Sequence, residues 1–393
     1  MIKVLRIINR FNLGGPTYNT SYLTKYLSAD YETLLVGGMK DESEASSEYI
    51  LENIGIQPLI ISEMRRSVNP FQDVSAYFKI KKIIKEFKPD IVHTHASKAG
   101  FVGRLAAHHC KVPVIIHTFH GHVFHSYFNK YITWVFKTIE RYMARISTKI
   151  IAISDIQKEE LTKIHAICNA SKVAVVPLGF DVSRFSENVV QKEKFRKTYN
   201  ISDDEIAIGI IGRLVPIKNH SLFIDAIKFV SAKTSKKIRA FIIGDGESRL
   251  TIENYATQCG IEFTVENTEN LSSILHFTSW IKEIDSATLG LDIIALTSLN
   301  EGTPVSLIEA QASNKPIVST RVGGIENVVL EGKTALLSDL SNPELFFNNL
   351  LQLIEDDNLR NTMSVNASEF VRERFGYKTL VNNIEILYKS LLS

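Results

Sequence analysis

Short, uninterrupted apolar runs alternate with stretches of helical period along most of the chain. In the first half the runs are IKVLRII, ETLLVGG, PLIIS, DIVHTH, VPVIIHTF, KIIAIS and KVAVVPLG. Helical segments are predicted near 17–28, 71–87, 98–109, 130–146 and 155–166. Strands without polar alternation are covered on both faces, so the pattern predicts parallel sheets flanked by helices. A polar stretch at 183–204 breaks the pattern, and IAIGIIGRL, IRAFIIGDG, LDIIALTS and KPIVST restart it. The α/β reading is therefore two doubly wound, Rossmann-like domains, 1–185 and 186–375. A final helix over about 376–393 is expected to pack back on the first domain. In open parallel sheets ligands bind beyond the carboxyl ends of the strands, so the site is expected in a cleft where the two domains face each other.

Composition changes this picture little. Of 393 residues, 45% are hydrophobic and 22% charged, as in ordinary globular domains, and no apolar run reaches the length of a membrane-spanning helix. The start, MIKVLRIINRF, reads as a first strand rather than a signal peptide. Three scattered cysteines, Cys110, Cys168 and Cys259, show no ligand spacing and suit reduced thiols in the cytoplasm. The net charge of +2 is unevenly spread: residues 101–150 hold seven Lys/Arg against Glu140 alone, and KIKKIIKEFK at 79–88 adds a basic helix face. That asymmetry points to an anionic partner, either a membrane surface or a phosphorylated acceptor.

Candidate chemistry lies just after the strands. Gly14 and Gly15 follow the first strand, where a tight turn and a helix start offer N–H groups to an anion, although the G-x-G-x-x-G fingerprint is missing. GRLVPIK places Arg213 and Lys218 on a strand-end loop, a planar fork and a mobile point charge suited to a diphosphate. NEGTPVSLIEA sets Glu301 and Glu309 eight positions apart around a helix start. Thr303 is expected to cap that helix and Pro304 to occupy its first turn, while Glu309 leans back toward the cleft. Two carboxylates beside exposed N–H groups suit a ligand bearing both phosphate and hydroxyls.

EGTPVSLIEAQASNKPIVSTRVGG resembles the signature of retaining glycosyltransferases of family 4, which adopt the GT-B fold. GRLVPIK, the Gly-Gly loop, GDG at 244–246 and VPLGFDVSRF at 176–185 resemble its other markers, in order, over nearly the whole chain. The resemblance implies transfer of a sugar from a nucleotide-sugar, most often a UDP-hexose or UDP-N-acetylhexosamine. The acceptor it implies is a hydroxyl of a lipid-linked or saccharide molecule in surface polysaccharide biosynthesis. It implies that Arg213 and Lys218 stabilise the leaving diphosphate, that Glu309 holds the ribose and that Glu301 holds the donor sugar. Gly302, Thr303, Pro304, Val305 and Ser306 would surround the phosphate, and Ile281 would meet the base. TSWIKE at 278–283 departs from the family, which more often has Gly before the aromatic residue. The family uses no metal and no cofactor beyond its nucleotide-sugar substrate, and no Asp-x-Asp follows a strand here. Front-face attack, with the departing phosphate taking the acceptor's proton, is the mechanism implied.

Eight of the eleven histidines fall within 93–125. His93 and His95 share a strand face, and HGHVFH at 120–125 resembles a metallohydrolase motif, but Phe124 stands where that motif needs Asp. In the glycosyltransferase family TFHG supplies a sugar-contacting His, which puts His120 in that role. His122 and Ser154 are candidate acceptor contacts, with helix capping the alternative for Ser154. Tyr127, Tyr131 and Trp134, spaced along a basic helix, suggest peripheral association with the inner face of a membrane. Three other classes stay open on sequence: a nucleotide-sugar epimerase of similar fold, a hydrolase using the histidine cluster, and a non-catalytic sugar-binding protein. Nucleic acid is not expected as a partner.

Overall fold

The computed structural model describes residues 1–11, 15–38, 51–52, 54–65, 69–120, 130–186, 188–265 and 273–393. These residues form two compact units, Met1–Phe180 with Phe375–Ser393, and Asp181–Arg374. The first unit thus closes at Phe180 rather than at 185.

The first unit contains a seven-stranded sheet in the order β3-β2-β1-β4-β5-β6-β7, every pairing parallel. Its strands are β1 Ile2–Arg10, β2 Tyr31–Gly38, β3 Leu59–Ile60, β4 Ile91–His95, β5 Val114–Phe119, β6 Lys149–Ala152 and β7 Val173–Val175. Both faces are apolar: β1 alternates Leu5 and Ile7 into one cluster with Val4 on the other, as a doubly covered strand must. Helices α1 Gly15–Tyr26, α2 Pro70–Phe87, α3 Ser97–His109, α4 Lys130–Ile146 and α5 Asp155–Glu159 connect the strands. α2 starts where it does because Asn69 Oδ1 accepts from the backbone N–H groups of Phe71 and Gln72 and Pro70 occupies the first turn. It stops at Lys88, which adopts a left-handed conformation at φ 52°. The segment predicted as helix over 155–166 is α5 followed by one wide π turn, Glu160–Ile164.

The second unit repeats the plan in the order β10-β11-β9-β8-β12-β13-β14, again all parallel. Its strands are β8 Glu205–Ile211, β9 Lys237–Ile243, β10 Phe263–Val265, β11 Leu275–Ser279, β12 Ile293–Leu296, β13 Ile317–Thr320 and β14 Ala335–Ser338. Helices α6 Val189–Thr198, α7 His220–Ser231, α8 Arg249–Gln258, α9 Ile284–Gly290, α10 Val305–Ala312, α11 Pro343–Glu355 and α12 Asp357–Phe375 complete it. Strands β10, β11 and β14 are absent from the hydrophobic reading: they are three to five residues long, and His276 and Thr278 interrupt the apolar run of β11. The polar stretch at 183–204 conceals α6, whose buried contacts reduce to Phe195 and Arg196.

The last helix, α13 Tyr377–Leu392, belongs to the first unit. Its Leu380, Val381, Ile384 and Tyr388 join Val4, Leu23, Ile91 and Ile116 in one core. Burial on the order of 1.5–3 kcal/mol for each large apolar side chain is ample to hold the helix there. Among the described residues no helix is long and apolar enough to cross a membrane.

Candidate functional site

Strand order in the second unit reverses between β8 and β12, which pair with each other and are followed by loops leaving in different directions. That switch point is where an open parallel sheet leaves a crevice for ligand. The loop after β8 carries Arg213 and the short 3-10 turn Pro216–Lys218; the loop after β12 carries Ser298 and Glu301. Backbone and side chain tie the loops together. Leu299 N–H donates to Ile217 O at 2.8 Å and Thr297 Oγ1 to Lys218 O at 2.9 Å. Lys218 Nζ then reaches Glu301 Oε1 at 2.5 Å, and Ser298 Oγ donates to the same oxygen at 2.6 Å. The pair is mostly screened from water, with 21% of the Lys218 side chain and 10% of the Glu301 side chain exposed.

Two glycine-bearing turns press against these loops, backbone to backbone. A Cβ on Gly324 would lie 1.8 Å from Gly302 O, and one on Gly323, whose φ is 52°, would lie 2.0 Å from Glu301 O. Gly324 N–H donates to Glu301 O at 2.9 Å. The VGG that follows β13 thus holds the Glu301–Gly302 peptide in place. In the GDG segment, Gly244 and Gly246 lie against Gly212 O and Leu214 O, and Asp245 takes hydrogen bonds from Ser279 Oγ at 2.9 Å and Gly246 N–H at 2.8 Å. Crowding alone calls for glycine at 246 and 324, whereas Gly244 and Gly323 also hold a positive φ.

Arg213 is largely exposed and paired with Glu247 at 3.3 Å. A long surface guanidinium takes the acid nearest in space, here one contributed by the loop after β9. Thr303 does not cap α10; the helix begins at Val305 with Pro304 in the capping position and no side-chain cap. The first N–H groups of α10 are consequently not taken by a capping side chain. Glu309, half-buried one turn in, lies in the field of Arg184 and Asp285. Desolvation pushes its carboxyl up to about 7, with Arg184 opposing and Asp285 adding to the rise. Ile281 is half-buried beyond β11, beside Trp280, whose ring is largely exposed at the strand end. Gly302 is exposed, and Val305 and Ser306 are half-buried.

In the first unit Gly15 opens α1, where a Cβ would meet only ordinary contact with Leu178; Gly14 and His122 lie outside the described residues. Ser154 caps α5, its Oγ accepting from Gln157 N–H at 3.1 Å while Gln157 Oε1 accepts from Ile153 N–H. His120 directly follows β5, and its Nε2 lies 3.0 Å from Nδ1 of His95 at the end of β4. Behind them runs a buried polar chain. Arg6 donates to Tyr388 Oη at 3.2 Å, Tyr388 Oη lies 2.6 Å from His93 Nδ1, and His93 Nε2 lies 2.7 Å from Thr118 Oγ1. Burial holds His93 and His95 neutral, aided by the charge on Arg6, and brings His120 down to about 3. Among the described residues no group of three or more His, Cys, Asp or Glu is placed to hold a metal ion.

Sequence reasoning missed Ser298, Asp245, Ser279, Arg184 and Asp285. Ser298 had a signal, standing two residues beyond β12 and three before Glu301. The others act only through the fold.

Comparison with known proteins agrees with this fold. A model of Glycosyltransferase Family 4 matches residues 13–184, and one of Glycosyl transferases group 1 matches 191–370. An uncharacterised glycosyltransferase of Methanocaldococcus jannaschii is 30% identical over 328 residues, covering 81% of this chain and 80% of its own. The Escherichia coli UDP-Gal:alpha-D-GlcNAc-diphosphoundecaprenol alpha-1,3-galactosyltransferase is 28% identical over 349 residues, covering 88% and 87%. The crystal structure of Anabaena HepE in complex with UDP superposes with a TM-score of 0.80 at 19% identity, over 99% of this chain and 100% of that one.

Proposed function

Because this chain belongs to the family 4 glycosyltransferases, of GT-B fold, we propose that it moves a hexose or N-acetylhexosamine from a UDP-sugar to a hydroxyl of a lipid-linked or saccharide acceptor. The reaction retains anomeric configuration, requires no metal and serves surface polysaccharide assembly. The observation that carries the reading is the Lys218–Glu301–Ser298 cluster at the β8/β12 switch point. A buried-edge ammonium held by a single carboxylate is poised to exchange partners. The leaving diphosphate takes Lys218, and Glu301 turns its freed oxygens to the sugar hydroxyls. Arg213 leaves Glu247 to add a second cation. Charge developing on the diphosphate is then met by preorganised cations and by the N–H groups of Val305 and Ser306, which is how such a site accelerates transfer. Glu309 accepts from the ribose, and Ile281 and Trp280 border the base. The donor class is supported by the UDP bound to HepE and by the UDP-Gal in the name of the E. coli relative. A thermal-shift series against UDP-, GDP- and ADP-sugars tests it: UDP-sugars raise the melting temperature. Stabilisation by GDP- or ADP-sugars alone would replace the base, and none at all would remove the reading.

A membrane-bound acceptor is supported by the surface of the first unit. Helices α2, α3 and α4 each return a parallel strand, so their first halves lie at the strands' carboxyl edge. There Phe71, Val74 and Phe78 of α2, Phe101 of α3, and Tyr131 and Trp134 of α4 are exposed. Between residues 70 and 146 stand twelve Lys/Arg against four Asp/Glu. Aromatic side chains flanked by cations suit the interface of an anionic bilayer, which supports a working position at its cytoplasmic face. The protein should co-sediment with anionic vesicles at low salt and leave them at high salt, and Phe71→Ser with Phe78→Ser should weaken capture. Equal recovery in the supernatant with anionic and neutral vesicles would dismiss it.

A further inference from the structure

Left-handed backbone is uncommon for residues that carry a side chain. Lys88, Lys111, Ala166, Asn200, Asn219 and Asn314 adopt it just after helical turns, and Ala96 just before one. Ser279 adopts it beside no helix. It ends β11 with φ 58°, at a register shift between Phe277 and Ser279 that interrupts the pairing with β9. Two hydrogen bonds tie it to the loop after β9. Gly244 N–H donates to Ser279 O at 2.9 Å, and Ser279 Oγ donates to Asp245 Oδ2 at 2.9 Å. Asp245 is fixed in turn, its Oδ1 accepting from Gly246 N–H at 2.8 Å. Strain of this kind persists only where the surroundings hold it, and it gathers at ligand sites. An irregularity at a strand end also re-aims the side chains that follow. Those are Trp280, 60% exposed, and the half-buried Ile281. In the strand order β11-β9-β8-β12 they lie on the side of β8 away from β12, all within the second unit.

We propose that Ser279 is a positioning residue for the nucleobase: its bond to Asp245 locks the left-handed turn that aims Trp280 and Ile281 at the base. The inference rests on the reading above that these two residues border the base. It adds that their placement is set by a hydroxyl–carboxylate bond that need not touch the donor. The base lies far along the nucleotide from the reacting carbon, so contact with it is the same before and during transfer. The lock therefore governs donor affinity and leaves the chemical step alone.

The chain has two tryptophans, so Trp134→Phe leaves Trp280 as the sole indole. UDP titrated into the full-length Trp134→Phe protein should quench Trp280 fluorescence. Adding Ser279→Ala, which keeps the strain and loses the hydroxyl, should raise Kd about tenfold, the scale of one hydrogen bond to a carboxylate. KM for the UDP-sugar should rise with it while kcat stays nearly unchanged, the mark of lost uniform binding. Ser279→Gly takes a positive φ without strain but lacks the hydroxyl, so its Kd should fall between the two. Asp245→Ala should weaken UDP at least as much as Ser279→Ala. The double variant should bind no more weakly than Asp245→Ala alone, because both changes remove one bond. Wild-type affinity in Ser279→Ala, equal affinity in the Ala and Gly variants, or fully additive losses in the double variant would overturn the inference and leave the donor reading standing. UDP binding that leaves Trp280 fluorescence unchanged would discard the base contact, and the inference with it. Absence of UDP binding in the wild type would discard the donor reading itself.

Discussion

Lys218 Nζ lies 2.5 Å from Glu301 Oε1, an ion pair that joins the loops after β8 and β12 where the strand order reverses. Its partners come from opposite sides of the switch point, so neither loop alone makes the site. Removing the ammonium leaves Glu301 with Ser298 and, under the proposed function, deprives the departing diphosphate of a cation. Lys218→Ala should lower kcat about a hundredfold to a thousandfold while the circular-dichroism melt stays cooperative. Steady-state rates beside melting curves check both halves.

Glu309 predicts a proton count. Its carboxyl is pushed from an ordinary value of 4.5 up to about 7, chiefly by desolvation. The folded state therefore holds this proton more tightly than the unfolded chain, and the contribution to stability falls as pH rises from 4.5 through 7. Under the proposed function ribose hydroxyls donate to the ionised form, so a bound donor lowers the pKa again. UDP binding should strengthen with pH up to about 7 and release part of a proton near neutrality. Calorimetry in buffers of different ionisation enthalpy measures the release, and Glu309→Gln should abolish it.

Gly324 tests the role of the turn after β13. Its φ is ordinary, so the effect of a side chain there is steric: a Cβ would fall 1.8 Å from Gly302 O. Gly324→Ala should cost about 1–3 kcal/mol by overpacking and weaken UDP binding by displacing the Glu301–Gly302 peptide. Denaturant titration and calorimetry read the two effects separately.

How much of this was legible in the sequence depends on range. The sheets were readable because doubly covered strands such as IAIGII and IIAL are unbroken apolar runs, while β11 was hidden by His276 and Thr278. Glu301 and Lys218 were readable as strand-end residues, since a parallel sheet turns sequence position into spatial position. Their direct contact was not, because it joins residues 83 apart. The pairing of Arg213 with Glu247 was not legible, because it joins residues on the loops after β8 and β9 that only the fold brings together. Thr303 was misread because Pro304, one residue on, takes the capping position. The GDG and VGG glycines were visible as a pattern, but the crowding that requires them exists only once β8, β9, β12 and β13 lie side by side.

The account stands most directly on turnover of a UDP-hexose in the presence of a lipid-diphosphate saccharide acceptor, followed as UDP released per glycosylated product, in wild type and Glu301→Gln. It predicts one UDP per product in the wild type and a loss of at least about a hundredfold in the variant, with folding preserved. Undiminished transfer by Glu301→Gln would contradict it.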